Sequence, residues 1–561
     1  MYMEQQNELQ KNIKDFIEVS KKVKQEQEPI WFEIENCLDG NYYTVYSPKL
    51  DKLITSKKDE GKGVKREFNW IRKILKANIN ALSTNEPTWL IKPKDKTEEA
   101  HKEADVASKY LRYFYRKRFL KDKINDLLWY GYARSLGIIE IFEFEEDGNT
   151  KIDLRILDPF DCFFDTQRSW EDKRYFVKTF KKSLIDLEET KDDEGKPVYK
   201  DLDGLTSSKL AASDVKALLL RQKGESDEHR ENKDLEDILC FECYVKESGK
   251  IRIITLGGDN MKIIRDDETE KEDFSVELYY PAKKPDSIYC SPELKDLLDL
   301  NRAYNRVASF IENYIFTMLW GRYLKRKDTT LETILGQHGQ IANYQGASPP
   351  VAQPLYPMPS IVLEYINLLK MATEDIGGIH AESIGRKTAP GQSGKAISLL
   401  QAADLQNLST ARGNLESCLV KIAEKVLDTL SKQFVSEEFT VDSETYKVIG
   451  VASKEELEGV IKLGKFDEIE CSIVPATAFS DVQQKQETMD LVQAGVITDK
   501  QTILEAFHWG GIKEVLDREK EKAVPPPMPS PAGMPELSPE ELLAGAAPPP
   551  TPEEMPREII Q

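Results

Sequence analysis

The stretch Ala389-Pro390-Gly391-Gln392-Ser393-Gly394-Lys395-Ala396 comes nearest to a chemical motif in this chain. A phosphate-binding loop wraps backbone N–H groups around a nucleotide, sends a lysine to its outer phosphates and holds Mg²⁺ with the next hydroxyl. Here alanine stands where the first glycine belongs and again where the serine or threonine belongs, and no strand pattern leads in. Nucleotide hydrolysis is not expected. Cys240-Phe241-Glu242-Cys243 has the spacing of half a zinc site or of a redox pair. No second pair completes it, and it lies in a strand pattern rather than at a helix start, so packing of two thiols is expected. Asp158, Asp161 and Asp165 form an acidic group, but Pro159 with Phe160, Phe163 and Phe164 makes the segment a rigid turn entering a strand. His101, His229, His338, His380 and His508 are too dispersed to serve a nucleophile or a metal. The residues therefore predict no enzyme, no cofactor and no metal.

The stronger pattern is architectural and runs from Ser291 to Phe434. Ser291-Pro292-Glu293 reads as a helix start: a capping hydroxyl, a proline suited to the first turn, and a carboxylate facing the positive end of the dipole. Leu297, Tyr304, Ile311, Ile315 and Met318 then recur at helical spacing, which predicts a rod of roughly 28 residues, about 40 Å long. Residues 321–358 break this pattern with glycines and with Pro349, Pro350, Pro354 and Pro357, leaving room for a short helix near Leu331 to Leu335 and a strand or two. A second helix, capped by Ser360, carries Val362, Tyr365, Ile366, Leu369 and Ala372 and stops at Gly377-Gly378. A polar loop follows, and from near Lys395 a third helix of roughly 40 residues, about 60 Å, carries Leu408, Ala411, Leu415, Leu419, Ile422, Val426 and Leu430. A rod with more apolar surface than one partner helix can cover packs on neighbours, so oligomerisation is expected.

Composition sets the bounds. A chain of 561 residues holds several domains, and 40% hydrophobic with 31% charged residues describes a soluble protein. No run of 18 apolar residues exists and Met1 to Lys24 is polar, so neither a membrane span nor a signal peptide is expected. The formal charge of -20 disfavours general adhesion to nucleic acid, since Lys and Arg supply the affinity for phosphate. Met1 to Lys24 reads as a charged, weakly amphipathic and mobile helix. Further helices are expected from Ile30 to Leu38, from about Lys65 to the Asn85-Glu86-Pro87 break, from Thr97 to Arg118 and from Lys121 to Leu136. Thr88 to Ile91 is a strand; Gly137 to Phe144 and Lys151 to Leu157 form a hairpin about Asp147-Gly148-Asn149. Tyr175 to Phe180 is another strand, and Ile238 to Val245, Ile251 to Leu256, Met261 to Ile264 and Ser275 to Tyr280 read as an antiparallel meander. Phe439 to Val448 and Glu468 to Ile473 are read as strands returning to the same sheet, followed by short helices to Lys522. From Ala523 the proline-rich composition is that of a disordered tail.

The order of these elements resembles the portal, or head-to-tail connector, proteins of tailed bacteriophages. The local pieces are the Tyr130-Gly131 turn, Asp158-Pro159-Phe160-Asp161, Ser291-Pro292 with Asn301 and Asn305, and Gly391 to Ala396. The resemblance implies an α+β chain: an N-terminal extension and mixed α/β wing (1–290), stem helix (291–320), small α/β clip (321–358), second stem helix (359–378), tunnel loop (379–394), long helix with the rest of the wing (395–479), helical crown (480–522) and disordered tail (523–561). It further implies a ring, usually dodecameric, at one capsid vertex of the virion, made in the host cytoplasm. Double-stranded DNA passes through such a ring, which meets major capsid and scaffolding protein, the terminase large subunit and tail adaptors. Arg386, Lys387 and Lys395 would then face DNA, and Arg322, Lys325, Arg326 and Lys327 would dock partners at the clip. Other readings are a head-assembly or minor capsid protein, a nucleotide-driven motor and a non-viral helical scaffold.

Overall fold

The computed structural model describes residues 2–473 apart from 43, 48–51, 56–63, 94, 147–148, 192–194, 208, 210, 223–236, 286, 321–322, 325–326, 328–329, 332–343, 348–350, 353–356, 379–405, 433–435, 442–443, 451–459, 464–465 and 467; beyond 473 it describes Val492 alone. The chain divides into two units, Met1–Asp481 and Val482–Gln561, and all that follows concerns the first. Its helices in chain order are α1 (Tyr2–Lys24), α2 (Glu28–Leu38), α3 (Trp70–Ser83), α4 (Glu98–Lys117), α5 (Leu120–Arg134), α6 (Leu184–Glu189), α7 (Asp214–Gln222), α8 (Lys295–Trp320), α9 (Ser360–Ile376) and α10 (Ser409–Lys432). Strands β1 (Thr44–Ser47) and β2 (Lys52–Thr55) form a hairpin, and β3 (Thr88–Ile91) lies between α3 and α4. Next come β4 (Gly137–Glu146), β5 (Asn149–Leu157), β6 (Cys162–Phe164), β7 (Tyr175–Ser183), β8 (Asp237–Glu247), β9 (Lys250–Gly257), β10 (Lys262–Glu268) and β11 (Val276–Tyr279). Four two-residue strands, β12 (Tyr323–Leu324), β13 (Thr330–Leu331), β14 (Tyr344–Gln345) and β15 (Val351–Ala352), separate α8 from α9. β16 (Ser436–Val441), β17 (Glu444–Gly450), β18 (Val460–Leu463) and β19 (Ile469–Ser472) follow α10. The mixed α/β character read from the sequence is the character of the fold.

Two sheets carry the body. β4 and β5 pair antiparallel with Glu146 opposite Asn149, the expected hairpin. The other sheet runs β10-β9-β8-β7-β6, and its alternation sorts side chains to two faces. Phe163, Tyr175, Val177, Cys243, Ile254 and Leu256 pack with Ile13 and Ile17 of α1. Cys162, Phe164, Phe176 and Ile251 face the other way, toward Trp31 and Phe32 of α2. The N-terminal helix is thus a packed element from Ile13 onward, not the mobile one its charge suggested. Phe16 stacks on Tyr175 at 4.1 Å, and the Ser20 hydroxyl accepts a hydrogen bond from Phe164 N–H at 3.0 Å. The fully buried Lys24 donates to the carbonyls of Phe160 (2.6 Å) and Cys162 (3.2 Å).

Other expectations are corrected. The segment read as the fourth meander strand leaves that sheet: β11 pairs with β4, Val276 opposite Glu140, and joins the β11-β4-β5 sheet. Lys425 of α10 explains the switch, since its amine bonds the carbonyls of Phe274 (2.6 Å) and Val276 (3.3 Å) and pairs with Glu277. Phe439 to Val448 is two strands, β16 and β17, with β18 parallel to β17; β19 pairs with β3 in a separate two-stranded sheet. Tyr130-Gly131 is no turn but lies inside α5, where a Cβ on Gly131 would come 2.7 Å from the Tyr279 ring. The helix expected from Lys65 starts at Trp70, and Asn69 caps it by accepting from Arg72 N–H. α8 starts at Lys295, after three-residue turns such as Lys295 N–H to Pro292 carbonyl at 3.1 Å, rather than directly on Ser291. The N-cap of α9 is Pro359, without a side-chain bond, so Ser360 is its first residue and not its cap. Leu331 is in β13, and the rest of the short helix expected near Leu331 to Leu335 lies outside the described residues. Of the third expected helix the structure describes α10 (Ser409–Lys432), preceded by helical residues 406–407 and a turn at Leu408; the expected start near Lys395 lies outside the described residues. Its spacing is nonetheless as read, since Leu415, Leu419, Ile422, Val426 and Leu430 are all buried.

Candidate functional site

α8 is anchored by a device built from polar residues at every fourth position. Asn301, Asn305, Ser309 and Asn313 form one stripe along the helix, and the extended segment 64–70 lies antiparallel against it. The Asn313 amide accepts from Val64 N–H (2.6 Å) and donates to the Val64 carbonyl (2.9 Å). Ser309 Oγ accepts from Arg66 N–H (2.8 Å), Asn305 Oδ1 from Phe68 N–H (2.7 Å) and Asn301 Oδ1 from Trp70 N–H (3.2 Å). The pitch explains the match: four helical residues rise about 6 Å, and two extended residues advance about 6.6 Å. A helix thus replaces the neighbouring strand that segment 64–70 would otherwise need. Arg66 pairs with Glu312 through two hydrogen bonds, and Phe68 and Trp70 meet Tyr304 edge-on at 5.6 and 5.7 Å. The Arg66 hydrogen bond holds the Glu312 carboxyl below its ordinary range. Asn301 and Asn305 were singled out from the sequence; Ser309, Asn313, Arg66 and Glu312 were not, although four uncharged polar residues spaced by four along one helix were a readable signal.

α9 returns along α8, and its surface is unusual. Ile361, Leu363, Tyr365, Leu368, Met371 and Ile376 are all exposed, against Leu369 and Thr373 buried. Between the helices Arg306, Val307, Phe310, Ile361, Val362 and Tyr365 line a groove of about 470 Å³. A helix apolar on nearly every side is one that other helices complete.

The chemistry candidates resolve into structure. Cys240 and Cys243 are three apart on β8, so they face opposite sides: Cys240 packs with Leu187 and Tyr199, and Cys243 packs under α1. They cannot share a metal, and burial pushes the Cys240 thiol up to about 12 and that of Cys243 higher still. Asp158 caps the turn Pro159–Asp161 by accepting from Phe160 N–H and pairs with Arg134 and Lys216; Asp161 also pairs with Lys216. Asp165 is bound instead by Arg174, at 2.7 Å. Burial works against the Asp165 charge, but Arg174 and two backbone N–H groups outweigh it and hold the carboxyl low. Each acid already has a cation, and no group of three metal-ligating side chains exists among the described residues. Arg134, itself buried, also binds Glu35 (2.6 Å), which joins α2, α5 and the Asp158 turn. Between the two main sheets Lys178 pairs with Glu140 and with Glu242 (2.8 Å). Burial opposes the charge on Glu242, but Lys178 and Arg265 keep its carboxyl below the ordinary range.

Of the basic residues predicted to meet partners, Lys327 stands on an exposed turn. Arg322, Lys325 and Arg326 lie outside the described residues, as do Arg386, Lys387 and Lys395.

The class that emerges is a mixed α/β protein whose most conspicuous exposed apolar feature among the described residues is a helical hairpin strapped to its body. Residues 320–558, about two fifths of the chain, match the family described as Phage P22-like portal protein. That match bears out the resemblance to tailed-phage portal proteins seen in the sequence, and it supports a phage portal protein role. It begins at the last residue of α8 and takes in α9 and α10. No curated relative matches the chain. No helix among the described residues is long and apolar enough to cross a membrane.

Proposed function

We propose that the chain is the structural subunit of a ring-shaped DNA channel at one vertex of a tailed-phage capsid, serving packaging, retention and ejection of the genome. The observation that carries this is the portal-family match over residues 320–558. The exposed apolar helix α9 supports it, because a subunit of a closed ring must offer surface to two neighbours. The net charge of -20 supports it as well, since a channel that bound phosphates tightly would arrest the DNA it conducts.

In this reading residues 1–290 and 395–479 make the wing with its long helix, 291–320 and 359–378 the stem, and 321–358 the clip. Residues 379–394 make the tunnel loop, 480–522 the crown and 523–561 the tail. Arg386, Lys387 and Lys395 touch passing phosphates without reading sequence. Arg322, Lys325, Arg326 and Lys327 dock the terminase large subunit and later the tail adaptors, while capsid and scaffolding proteins surround the ring. Twelve copies is the number the resemblance implies. ATP hydrolysis belongs to the packaging motor.

Native mass spectrometry with negative-stain images of the same sample tests the reading. Closed rings with a central hole are expected. A monomer or dimer that persists with scaffold and capsid protein present refutes the channel and favours a head-assembly or minor capsid protein.

A further inference from the structure

The corner between α4 and α5 carries a phenylalanine where the backbone favours glycine. Phe119 is left-handed, with φ 49° and ψ 42°. Its N–H donates to the Arg116 carbonyl at 3.4 Å as α4 ends, and its carbonyl accepts from Asp122 N–H at 3.0 Å as α5 begins. A left-handed residue that closes a helix is ordinarily glycine or asparagine, and a residue that opens one is ordinarily a short polar capper. Phe119 is neither, and its ring returns nothing to the core: at 72% exposure, no large apolar side chain among the described residues is more exposed. The ring has company. The guanidinium of Arg118 lies 5.0 Å from the Phe144 ring, Phe144 meets Phe142 at 6.2 Å, and the Arg155 guanidinium lies 4.4 Å from Phe142. Arginines and phenyl rings thus form one continuous strip from the corner onto β4 and β5. Neither arginine has an ion-pair partner among the described residues, and acids nearby are taken, Asp153 by Lys123 and Glu86 by Arg116.

We propose that this strip is a docking surface for a segment of another protein that carries carboxylates beside an apolar side chain, the carboxylates on Arg118 and Arg155 and the apolar side chain on Phe119. Charge complementarity names the class. Arg116, Lys117, Arg118 and Lys121 crowd six residues of a chain whose formal charge is -20, so the corner locally reverses the sign of the molecule. A guanidinium held against a ring keeps its N–H fork for a carboxylate or a phosphate and gives up little freedom on binding. The exposed ring decides between those two. Double-stranded DNA brings phosphates but covers the faces of its bases by stacking, which leaves Phe119 in water. A protein segment brings charge and an apolar side chain together, and arginines with aromatic rings are what protein contacts are enriched in. The inference needs no second copy of the chain and stands apart from the ring reading.

Phe119→Gly gives the test, because it removes the ring while suiting the backbone better. The full-length variant is expected to melt at or above the temperature of the parent. The probe is a short fluorescein-labelled peptide of alternating glutamate and leucine, followed by fluorescence anisotropy at low ionic strength. The parent is expected to bind it, to bind it less as salt is added, and to ignore a lysine–leucine peptide of the same length. A peptide of glutamate alone is expected to bind about tenfold more weakly or worse, and Phe119→Gly, Arg118→Glu and Arg155→Glu each to weaken the acidic probe by about tenfold or more. Leu368→Ser, on the exposed face of α9, is expected to change nothing. A parent that does not bind the probe, a Phe119→Gly variant that binds it as well as the parent, or a fall in melting temperature showing that the ring serves the fold overturns the assignment. Tighter binding of a single- or double-stranded oligonucleotide, lost in the same variants, also overturns it and makes the strip a nucleic-acid surface. Each of these outcomes leaves the ring reading as it stands.

Discussion

Replacing Asn305 by alanine tests the strap most directly, because this rung is buried, at 1% exposure, and makes both of its bonds to one residue. Its Oδ1 accepts from Phe68 N–H at 2.7 Å and its amide donates to the Phe68 carbonyl at 3.4 Å. The substitution deletes a good hydrogen bond and a long one, and leaves a part-buried N–H without an acceptor. The first loss costs about 1 kcal/mol and the stranded amide a further 1–2 kcal/mol, so the segment should open more easily by about 2–3 kcal/mol. At 1.4 kcal/mol per factor of ten, that is roughly 30- to 150-fold faster exchange at the Phe68 amide. Hydrogen exchange resolved to single amides reads it out. In the parent, the amides of residues 64, 66, 68 and 70 are expected to be protected together. In Asn305→Ala the Phe68 amide should lose most of its protection. Asn313→Ala, at the outer and less buried rung where water can replace the lost partner, should cost Val64 only about fivefold, from roughly 1 kcal/mol. Equal effects at the two rungs, or less than threefold at Phe68, would refute the argument that burial of the side-chain acceptor fixes the strap.

Lys24 gives a pH signature. Burial lowers its amine from 10.5 to about 8, with Glu28 opposing, so between these values the unfolded chain binds more protons than the folded one and stability rises with pH. Thermal unfolding of the parent should therefore show a stabilising contribution of up to about 3 kcal/mol between pH 8 and 10.5 that Lys24→Met lacks, and identical slopes would contradict the assignment. Gly131→Ala should lower the melting temperature despite alanine's better helix propensity, because its Cβ meets the buried Tyr279 ring; a cost of about 1–3 kcal/mol is expected, partly recovered in combination with Tyr279→Leu. Arg134→Met removes the buried guanidinium shared by Glu35 and Asp158, leaving Lys216 on Asp158, and should destabilise by about 3 kcal/mol, whereas a loss under 1 kcal/mol would show that the cluster is not coupled. Cys37, Cys162, Cys240, Cys243, Cys290 and Cys418 are buried, and a thiol reagent at pH 8 should modify them only after denaturant is added.

The strap and the hairpin show where sequence reading stops. The helical spacing of α8, α9 and α10 and the pairing of β4 with β5 are local facts, written within single stretches of chain, and they were legible. So was the negative result at Cys240-Phe241-Glu242-Cys243, because two residues three apart on a strand face opposite ways whatever the rest of the chain does. Nothing local states that segment 64–70 runs beside residues 301–313, some 240 positions later, or that Val276 to Tyr279 changes sheets under Lys425.

The same holds for charge. Asp158, Asp161 and Asp165 are three acids in eight residues by sequence, but in space Arg134 and Lys216 take the first two and Arg174 takes the third. Lys24, at the end of a helix read as charged and mobile, is fully buried on backbone carbonyls. By itself the sequence determined the type of most elements, the departure of Ala389 and Ala396 from a phosphate-binding pattern and the likeness to portal proteins, all of which follow from residue types at short spacing. The tertiary structure decided which polar residues are partners and which apolar ones stay outside, because hydrogen bonds and burial depend on distance in space, and that distance is set by how the two sheets and α8 pack.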